Sequence, residues 1–196
     1  MGTTYQTVVD LDATPGEAPT LAVVALDRLV ALGIVRAERT DCVVGAPLGH
    51  PPGPRWASAV TYEDWEPSEG LRIEVGRTVF HSGQDGAEYA VCPHCATRTR
   101  FSAGGAQDDG EAIDDRGWMP FRAAMSAWHA TGAATVTCRH CGTPGDLPSW
   151  GWSDDAYAFA HLGFEFWNWP EFDPRFLATF SEALGGHRVV RVWGKL

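Results

Sequence analysis

The chain has 196 residues, 44% of them hydrophobic, and its 15 basic and 25 acidic side chains give a formal net charge of −10. Its nine Trp, nine Phe and four Tyr are too many aromatic residues for a chain that stays unfolded, and its length is enough to bury one sizeable core. Because a net negative charge opposes contact with a phosphate backbone, the composition predicts an acidic globular protein that does not bind nucleic acid.

The first eighty residues are predicted to contain one helix among short strands. The helix spans residues 18–32, with Pro19 in its first turn and Gly33 at the position where a glycine commonly ends a helix. A long loop rich in Pro and Gly is predicted for residues 45–67. The predicted strands of this part are residues 5–10, 39–44 and 71–80.

The rest of the chain is predicted to contain two more helices and several short strands. Residues 118–130 are one helix candidate. Residues 173–184 carry the strongest helix signature, with Asp173 as N-cap, Pro174 in the first turn and Gly185 beyond the end. A solvated acidic loop is predicted for residues 102–115. The predicted strands of this part are residues 88–91, 97–101, 134–137, 156–167 and 187–193.

These elements predict the α+β class, with an antiparallel or mixed sheet and two or three packed helices in a single domain of residues 1–196. Both ends of the chain are predicted as strand, helix and strand, which is similar to the two halves of a ferredoxin-like sandwich. The alternative is coincidence, since many α/β units share this pattern. On the first interpretation, a cysteine-containing segment at about residues 88–145 is inserted between the halves.

Four of the five cysteines form two pairs, Cys92 with Cys95 and Cys138 with Cys141, and each pair has two residues between its members. Each pair follows a predicted strand and precedes a turn, so two thiolates can face one point while amides of the turn donate to the sulfurs. Four thiolates in a tetrahedron form the closed type of site that holds structural zinc. We therefore expect one Zn²⁺ per chain, held by all four, whereas Cys42 is expected to be a small core residue.

The residues around the two pairs carry a family resemblance. The segments Cys92-Pro93-His94-Cys95 and Cys138-Arg139-His140-Cys141-Gly142 resemble the two knuckles of a zinc ribbon. The 42 residues between the knuckles are more than a compact ribbon has, so a helix and an acidic loop would be inserted there. The histidines inside the knuckles are expected to point outward. The chain as a whole is similar to uncharacterised bacterial proteins with paired CPxC and CxxC knuckles and a Trp-Pro segment, which implies no activity.

Enzymes are the alternative class. Cys-Pro-His-Cys is also the active-site sequence of DsbA-like thiol oxidoreductases, in which the motif opens a helix that lowers the pKa of the first thiol. Here a strand is predicted after the motif, and a redox site made of Cys92 and Cys95 does not need a second pair. A zinc hydrolase would need an open position on the metal. Since no nucleophile or phosphate-binding motif is found, the sequence favours a protein without catalysis.

An aromatic cluster and an acidic cluster are the other candidate sites. Trp150, Trp152, Trp167 and Trp169 are candidates for a surface that binds a peptide or protein, since Trp is common at interface hot spots. The pattern favours the alternative, in which these rings are core residues. Acidic side chains that would steer a basic partner are Asp108, Asp109, Glu111, Asp114, Asp115, Asp154 and Asp155.

The sequence therefore predicts a non-catalytic zinc-binding protein that acts by binding another protein. An immunity or antitoxin-like protein that covers a basic toxin is one form of this hypothesis. Residues 1–6 lack the features of a signal peptide. The longest apolar run, residues 21–35, is interrupted by Asp27 and Arg28 and is too short to cross a bilayer. We therefore expect a cytoplasmic location, where the cysteines stay reduced.

Overall fold

The structure is a computed structural model, and it describes residues 2–62, 65–84, 86–101 and 117–196. These ranges contain three α-helices and nine β-strands, which confirms the α+β class. The helices are α1 (Ala18–Ala31), α2 (Met119–Thr131) and α3 (Pro174–Ala183). The strands are β1 (Thr4–Asp10), β2 (Leu71–His81), β3 (Tyr89–Val91), β4 (Arg98–Arg100), β5 (Thr135–Thr137), β6 (Pro144–Asp146), β7 (Gly151–Trp152), β8 (Tyr157–Trp167) and β9 (Val189–Lys195).

Four of the strands form one antiparallel sheet in the order β2, β8, β1, β9. Helix α1 connects β1 to β2, and helix α3 connects β8 to β9. Both helices contribute to one hydrophobic core on the sheet. The order strand, helix, strand at each end of the chain is what two ferredoxin-like halves require, and the relation between the halves stays a prediction.

The helices of the main sheet begin where the sequence provides caps. At the start of α3, a carboxylate oxygen of Asp173 accepts a hydrogen bond from the backbone N–H of Arg175 at 2.7 Å. Before α1, the N–H of Thr14 donates to the Glu17 carboxylate and the N–H of Glu17 donates to the Thr14 hydroxyl. This reciprocal pair has the pattern of a capping box. The Asp173 cap satisfies a backbone N–H that would otherwise lack a partner at the start of α3, and the Thr14–Glu17 pair fixes the turn before α1.

The main core lies between the sheet and these two helices. Phe164 and Phe166 of β8 are fully buried, and the Phe164 ring meets Phe180 of α3 with centroids 4.7 Å apart. Since side chains alternate along a strand, Leu162 lies on the same face and is also buried. No described residue between β2 and β8 belongs to this core. The core between the sheet and these two helices is therefore distinct from the core of the inserted segment, which reaches the main sheet at Phe159 of β8.

Strand β2 bends near its middle. Its register with β8 shifts between Val75 and Thr78, and Gly76 has a φ of 128°, which favours glycine. Beyond the bend, the Phe80 ring lies over Gly163 of β8, where a Cβ atom would be 2.4 Å from the ring. The bend therefore sets the direction in which the chain enters the inserted segment.

The inserted segment has a hydrophobic core of its own. It contains α2, a three-stranded sheet in the order β4, β3, β7, and the antiparallel pair β5 and β6. Phe121 of α2 meets Trp150 with ring centroids 4.8 Å apart, and Trp128 meets Phe159 of β8 at 5.4 Å. Arg77 of β2 donates a hydrogen bond of 3.0 Å to the carbonyl of Ala130 near the end of α2. Helix α2 thus joins the inserted segment to the main sheet.

The prediction of a strand at residues 39–44 is wrong. Only an isolated bridge between Thr40 and Gly49 forms there, and the N–H of Cys42 donates to the carbonyl of Thr40 at 2.9 Å. This local bond turns the chain back on itself, so the apolar residues that follow do not extend into a sheet. The predicted loop at residues 45–67 contains a short 3₁₀ helix, Trp56–Ala59. The acidic loop predicted for residues 102–115 lies outside the described residues.

Gly163→Ala is expected to destabilise the protein. The new Cβ would meet the rigid Phe80 ring, and overpacking of this kind costs roughly 1–3 kcal/mol. Urea denaturation should therefore give a lower free energy of unfolding. Gly16→Ala is the matched control, because nothing lies within 4 Å of a Cβ atom at that position. Equal losses in the two variants would contradict the role assigned to the Phe80 contact.

Candidate metal centre

Two short turns carry the paired cysteines. The first knuckle, residues 92–97, joins β3 to β4, and the second knuckle, residues 138–143, joins β5 to β6. In each knuckle the first cysteine is 1% exposed, whereas the second lies on the solvent side. The strand β4 that follows the first knuckle agrees with the strand predicted there, and no helix begins at the Cys-Pro-His-Cys motif.

The two knuckles share one backbone hydrogen-bond pattern. In the first knuckle, the N–H of Cys92 donates to the carbonyl of Thr97, and the N–H of Ala96 donates to the carbonyl of Cys92. The lengths are 3.1 and 3.0 Å. The second knuckle repeats both bonds at 3.0 and 2.9 Å, with Cys138, Thr143 and Gly142 in the corresponding positions.

Backbone amides also point at the buried sulfurs. The N–H of His94 donates to Cys92 Sγ, and the N–H of His140 donates to Cys138 Sγ, both at 3.4 Å. Donors aimed at a sulfur favour its thiolate form, which is the form that binds a metal ion. The local structure of each knuckle is therefore suited to a negatively charged first sulfur.

The four sulfurs lie close together in space. Sγ atoms of Cys92 and Cys141 are 3.9 Å apart, those of Cys95 and Cys138 are 3.8 Å apart, and all four lie within 4.8 Å of one another. A tetrahedron with metal–sulfur distances of about 2.3 Å has sulfurs about 3.8 Å apart. All five cysteines are free, and the two short distances join one knuckle to the other. The four cysteines are thus placed to hold a metal ion.

Without a metal ion, the thiols differ in their acidity. Burial raises the pKa of Cys92 to about 11. Hydrogen bonds from the Thr97 hydroxyl and backbone lower the pKa of Cys95 to about 6, and those of Thr143 lower the pKa of Cys141. A metal ion takes the place of thiol protons, so a bound metal would favour the ionised form of the buried Cys92.

Contacts beyond the sulfurs hold the first knuckle against the second. The His94 Nε2 atom lies 3.0 Å from the carbonyl oxygen of Pro144 in β6, and Pro93 lies against Gly145, where a Cβ atom would be 2.9 Å from its ring. The indole N–H of Trp150 donates to the carbonyl of Gly145 at 3.4 Å. The side chain of His94 therefore joins the two knuckles from outside the sulfur cluster.

The other candidate ligands are not brought together. Within the described ranges, the four cysteines are the only group of three or more His, Cys, Asp or Glu side chains that could hold a metal ion. His140 is not part of the group. Cys42 is partly buried and packs beside Val43, Tyr5 and Trp167. Of the predicted acidic cluster, Asp154 and Asp155 are exposed, and the residues between 102 and 116 lie outside the described ranges.

The four tryptophans predicted as a partner-binding surface are all buried. Trp150 and Trp152 belong to the core of the inserted segment, at 4% and 9% exposure. Trp167 packs on Tyr5 with ring centroids 4.9 Å apart, and Trp169 is 1% exposed in the main core. Rings at these positions offer no surface to a partner, which agrees with the alternative that they are core residues. The sequence pattern does not separate a surface from a core, because burial depends on which distant parts of the chain cover each ring.

No family model matches the chain, and no curated protein or solved structure matches it. Among the described residues, no helix is long and apolar enough to cross a membrane. The arrangement of the four cysteines is therefore the observation that carries the functional argument.

Substitutions at the residue after the second cysteine of each knuckle are expected to affect the free energy of unfolding differently. Ala96 and Gly142 both have a positive φ, 55° and 73°, which costs a residue with a Cβ atom roughly 1–2 kcal/mol. Gly142→Ala should therefore lower the free energy of unfolding. Ala96→Gly should leave it unchanged or raise it, because relief of strain opposes the greater chain entropy of Gly. Chemical denaturation of both variants checks this, and a loss at both positions would contradict it.

Proposed function

We propose that this chain is a non-catalytic zinc protein, in which Zn²⁺ bound by Cys92, Cys95, Cys138 and Cys141 holds the inserted segment together, and that it acts by binding another protein. The observation that carries the proposal is the cluster of four sulfurs within 4.8 Å of one another. The two repeated knuckles support the resemblance to a zinc ribbon. Zinc is the expected metal because four thiolates in a tetrahedron suit it, with iron as the competitor.

The number of sulfurs supports a structural ion. A catalytic zinc ion keeps one position open for water or substrate, whereas four protein ligands close the coordination sphere. All four sulfurs here are mutually close, and two of them are buried in the core of the inserted segment. The proposed ion therefore contributes folding free energy rather than a reactive water.

A thiol oxidoreductase that uses Cys92 and Cys95 is less well supported. Such a site depends on a helix that starts at the first cysteine and lowers its pKa, whereas here the knuckle leads into strand β4. Both cysteines also lie close to the second knuckle, with Cys92 Sγ 3.9 Å from Cys141 Sγ and Cys95 Sγ 3.8 Å from Cys138 Sγ. A redox couple within the first knuckle would leave the second knuckle without a role.

The proposal of protein binding rests on charge and on the class of site. The formal charge of −10 favours a basic partner, since opposite charge accelerates encounter. An immunity or antitoxin-like protein is one such binder, and the reduced thiols fit a cytoplasmic location. Tagged, zinc-loaded protein that recovers no partner at low ionic strength, where steering by charge is strongest, would contradict this part of the proposal.

Cys138→Ser is expected to lower zinc content and to loosen the inserted segment. The serine hydroxyl is a poor ligand, and the remaining thiolates would repel one another without full coordination. Limited proteolysis should then cut between β2 and β8, while the strands of the main sheet stay protected because α1 and α3 still pack on them.

Two further variants make this test specific. Cys42→Ser is the matched control, since Cys42 lies outside the sulfur cluster, and it should keep both zinc and resistance to protease. Cys141→His keeps a ligand at an exposed position and should retain zinc. A Cys138→Ser protein with unchanged metal content and unchanged proteolysis would contradict a structural site.

A further inference from the structure

The main sheet ends in an edge strand whose outer side is open over part of its length. Strand β9 pairs with β1 on one side and is the last strand in the order. At its end, the N–H of Lys195 donates to the carbonyl of Ser82, and its carbonyl accepts from the N–H of Gln84. These bonds lie on the side away from β1 and involve only the last residue of the strand. Residues Ser153–Asp155 lie near β9, and along the rest of the strand no described residue is hydrogen-bonded to the outward backbone groups.

The direction of the other backbone groups follows from the ladder. In an antiparallel pair, alternate residues direct both N–H and C=O to the same side. The backbone groups of Lys195 are directed away from β1, so those of Trp193 and Arg191 are directed away from β1 as well. The N–H of Leu196 is directed toward β1 and donates to the carbonyl of Thr3. Among the described residues, none is hydrogen-bonded to the outward backbone groups of Arg191 or Trp193. The edge thus presents a row of donors and acceptors of the kind that a further strand takes up.

This edge forms one wall of a groove of about 720 Å³. The opposite walls come from the turn before β8, from the chain after β8 and from α3. The groove mixes apolar surface with carboxylates, and its exposed rings are Tyr62 at 63% and Trp193 at 37%. The groove is also lined by Asp154, Asp155, Glu171 and Leu177.

The charge of the groove is negative. Asp154 and Asp155 are exposed and have no ion-pair partner among the described residues, whereas Glu171 is 3.0 Å from Arg191. Three carboxylates against one guanidinium leave an excess of two negative charges. A second copy of this chain would bring the same charges and a total of −10 to the contact, so like-charge repulsion opposes it. A basic segment fits the groove.

The other edge of the sheet is a weaker candidate. Strand β2 is hydrogen-bonded at Leu71: the backbone N–H of His50 donates to the carbonyl of Leu71, and the backbone carbonyl of His50 accepts from the N–H of Leu71. The groove beside β2 has Arg39, Arg72 and Glu74 as its charged side chains apart from His50, so it has no acidic excess. Of these two grooves, the β9 groove is the one that combines an edge without hydrogen-bond partners with an acidic excess.

From these observations we propose that the β9 groove binds a basic polypeptide segment in extended form, which adds to β9 as a fifth strand of the main sheet. Main-chain hydrogen bonds to Arg191 and Trp193 supply the affinity, and Asp154 and Asp155 select basic side chains. Leu177 and Trp193 provide apolar contact for residues between the basic ones. The proposal rests on the protein-binding function proposed above and names its surface and the chemistry of its partner.

The test uses the full-length, zinc-loaded protein and two blocked eight-residue peptides, one of alternating Val and Arg and one of alternating Val and Glu. Binding is measured by calorimetry at low ionic strength, and amide hydrogen exchange is followed by NMR. The Arg peptide should bind and slow exchange at the amides of Arg191 and Trp193, and the Glu peptide should not bind. No binding of the Arg peptide, or binding that leaves these two amides unprotected, would overturn the proposal.

A pair of variants with equal charge separates the groove from general attraction. The double variant Asp154→Asn, Asp155→Asn should lower the affinity for the Arg peptide by about threefold to tenfold, which is the effect expected for the loss of two exposed charge pairs. Asn tolerates the positive φ of 51° at both positions, so the turn is kept. Asp27→Asn with Glu182→Gln makes the same change of charge on exposed helix positions and should have little effect. Equal weakening by both pairs would overturn the assignment to this groove.

Two further outcomes would also overturn the proposal, each for a different reason. In one outcome, protection of the Arg191 and Trp193 amides rises with protein concentration when no peptide is present. A second copy would then occupy the groove, and the proposal would be overturned. A natural partner that binds the Asp154→Asn, Asp155→Asn protein as well as the unmodified protein would also overturn it. That last result would leave the proposed binding function standing, because the partner would then use another surface.

Discussion

The inserted segment depends on one constraint, which is that two knuckles separated by 42 residues must bring four sulfurs to one point. Closing a loop of this length is costly in chain entropy, and the thiolates repel one another unless a cation lies between them. A metal ion bound by the four sulfurs would remove the repulsion and supply free energy for closing the loop. The strands on either side of each knuckle, and the helix α2 between the knuckles, surround this cluster.

Packing alone is a modest source of stability for this segment. Its strands are two or three residues long, and an isolated pair of such strands is marginal in water. Its aromatic core is nevertheless well formed, with Phe121 against Trp150 and Trp128 against Phe159 of β8. Because Phe159 belongs to the main sheet, the core of the segment is continuous with β8, and Arg77 of β2 bonds the end of α2. The segment is therefore fixed to the sheet at one side and closed by the sulfurs at the other.

Elements with local signals were predicted well from the sequence. Helix α3 lies where Asp173, Pro174 and Gly185 placed it, and the sulfur cluster contains the four cysteines that the spacing selected. Both cases depend on chemistry within a few residues, which a sequence shows directly. The strand expected at residues 39–44 failed because a turn at Cys42 competes with extension, and the apolar pattern alone does not show this.

Features that depend on distant parts of the chain were not predictable. The pattern of Trp150, Trp152, Trp167 and Trp169 suits either a surface or a core, and burial is decided by α2 and by the loops that cover β8. The open edge of β9 is likewise a result of strand order, since a strand shows no sequence mark of being last in a sheet. Asp154 and Asp155 were seen as acidic residues, but only the fold places them beside that edge.

The most direct test of the account is metal analysis by mass spectrometry of the native protein, combined with a count of reactive thiols before and after chelation. The account predicts one zinc ion per chain and four thiols that become reactive only when a chelator removes the metal, with Cys42 as the thiol that does not depend on it. A native protein without zinc whose Cys92 and Cys95 oxidise reversibly would contradict the structural site and favour redox chemistry. One iron in place of zinc would contradict the metal assignment.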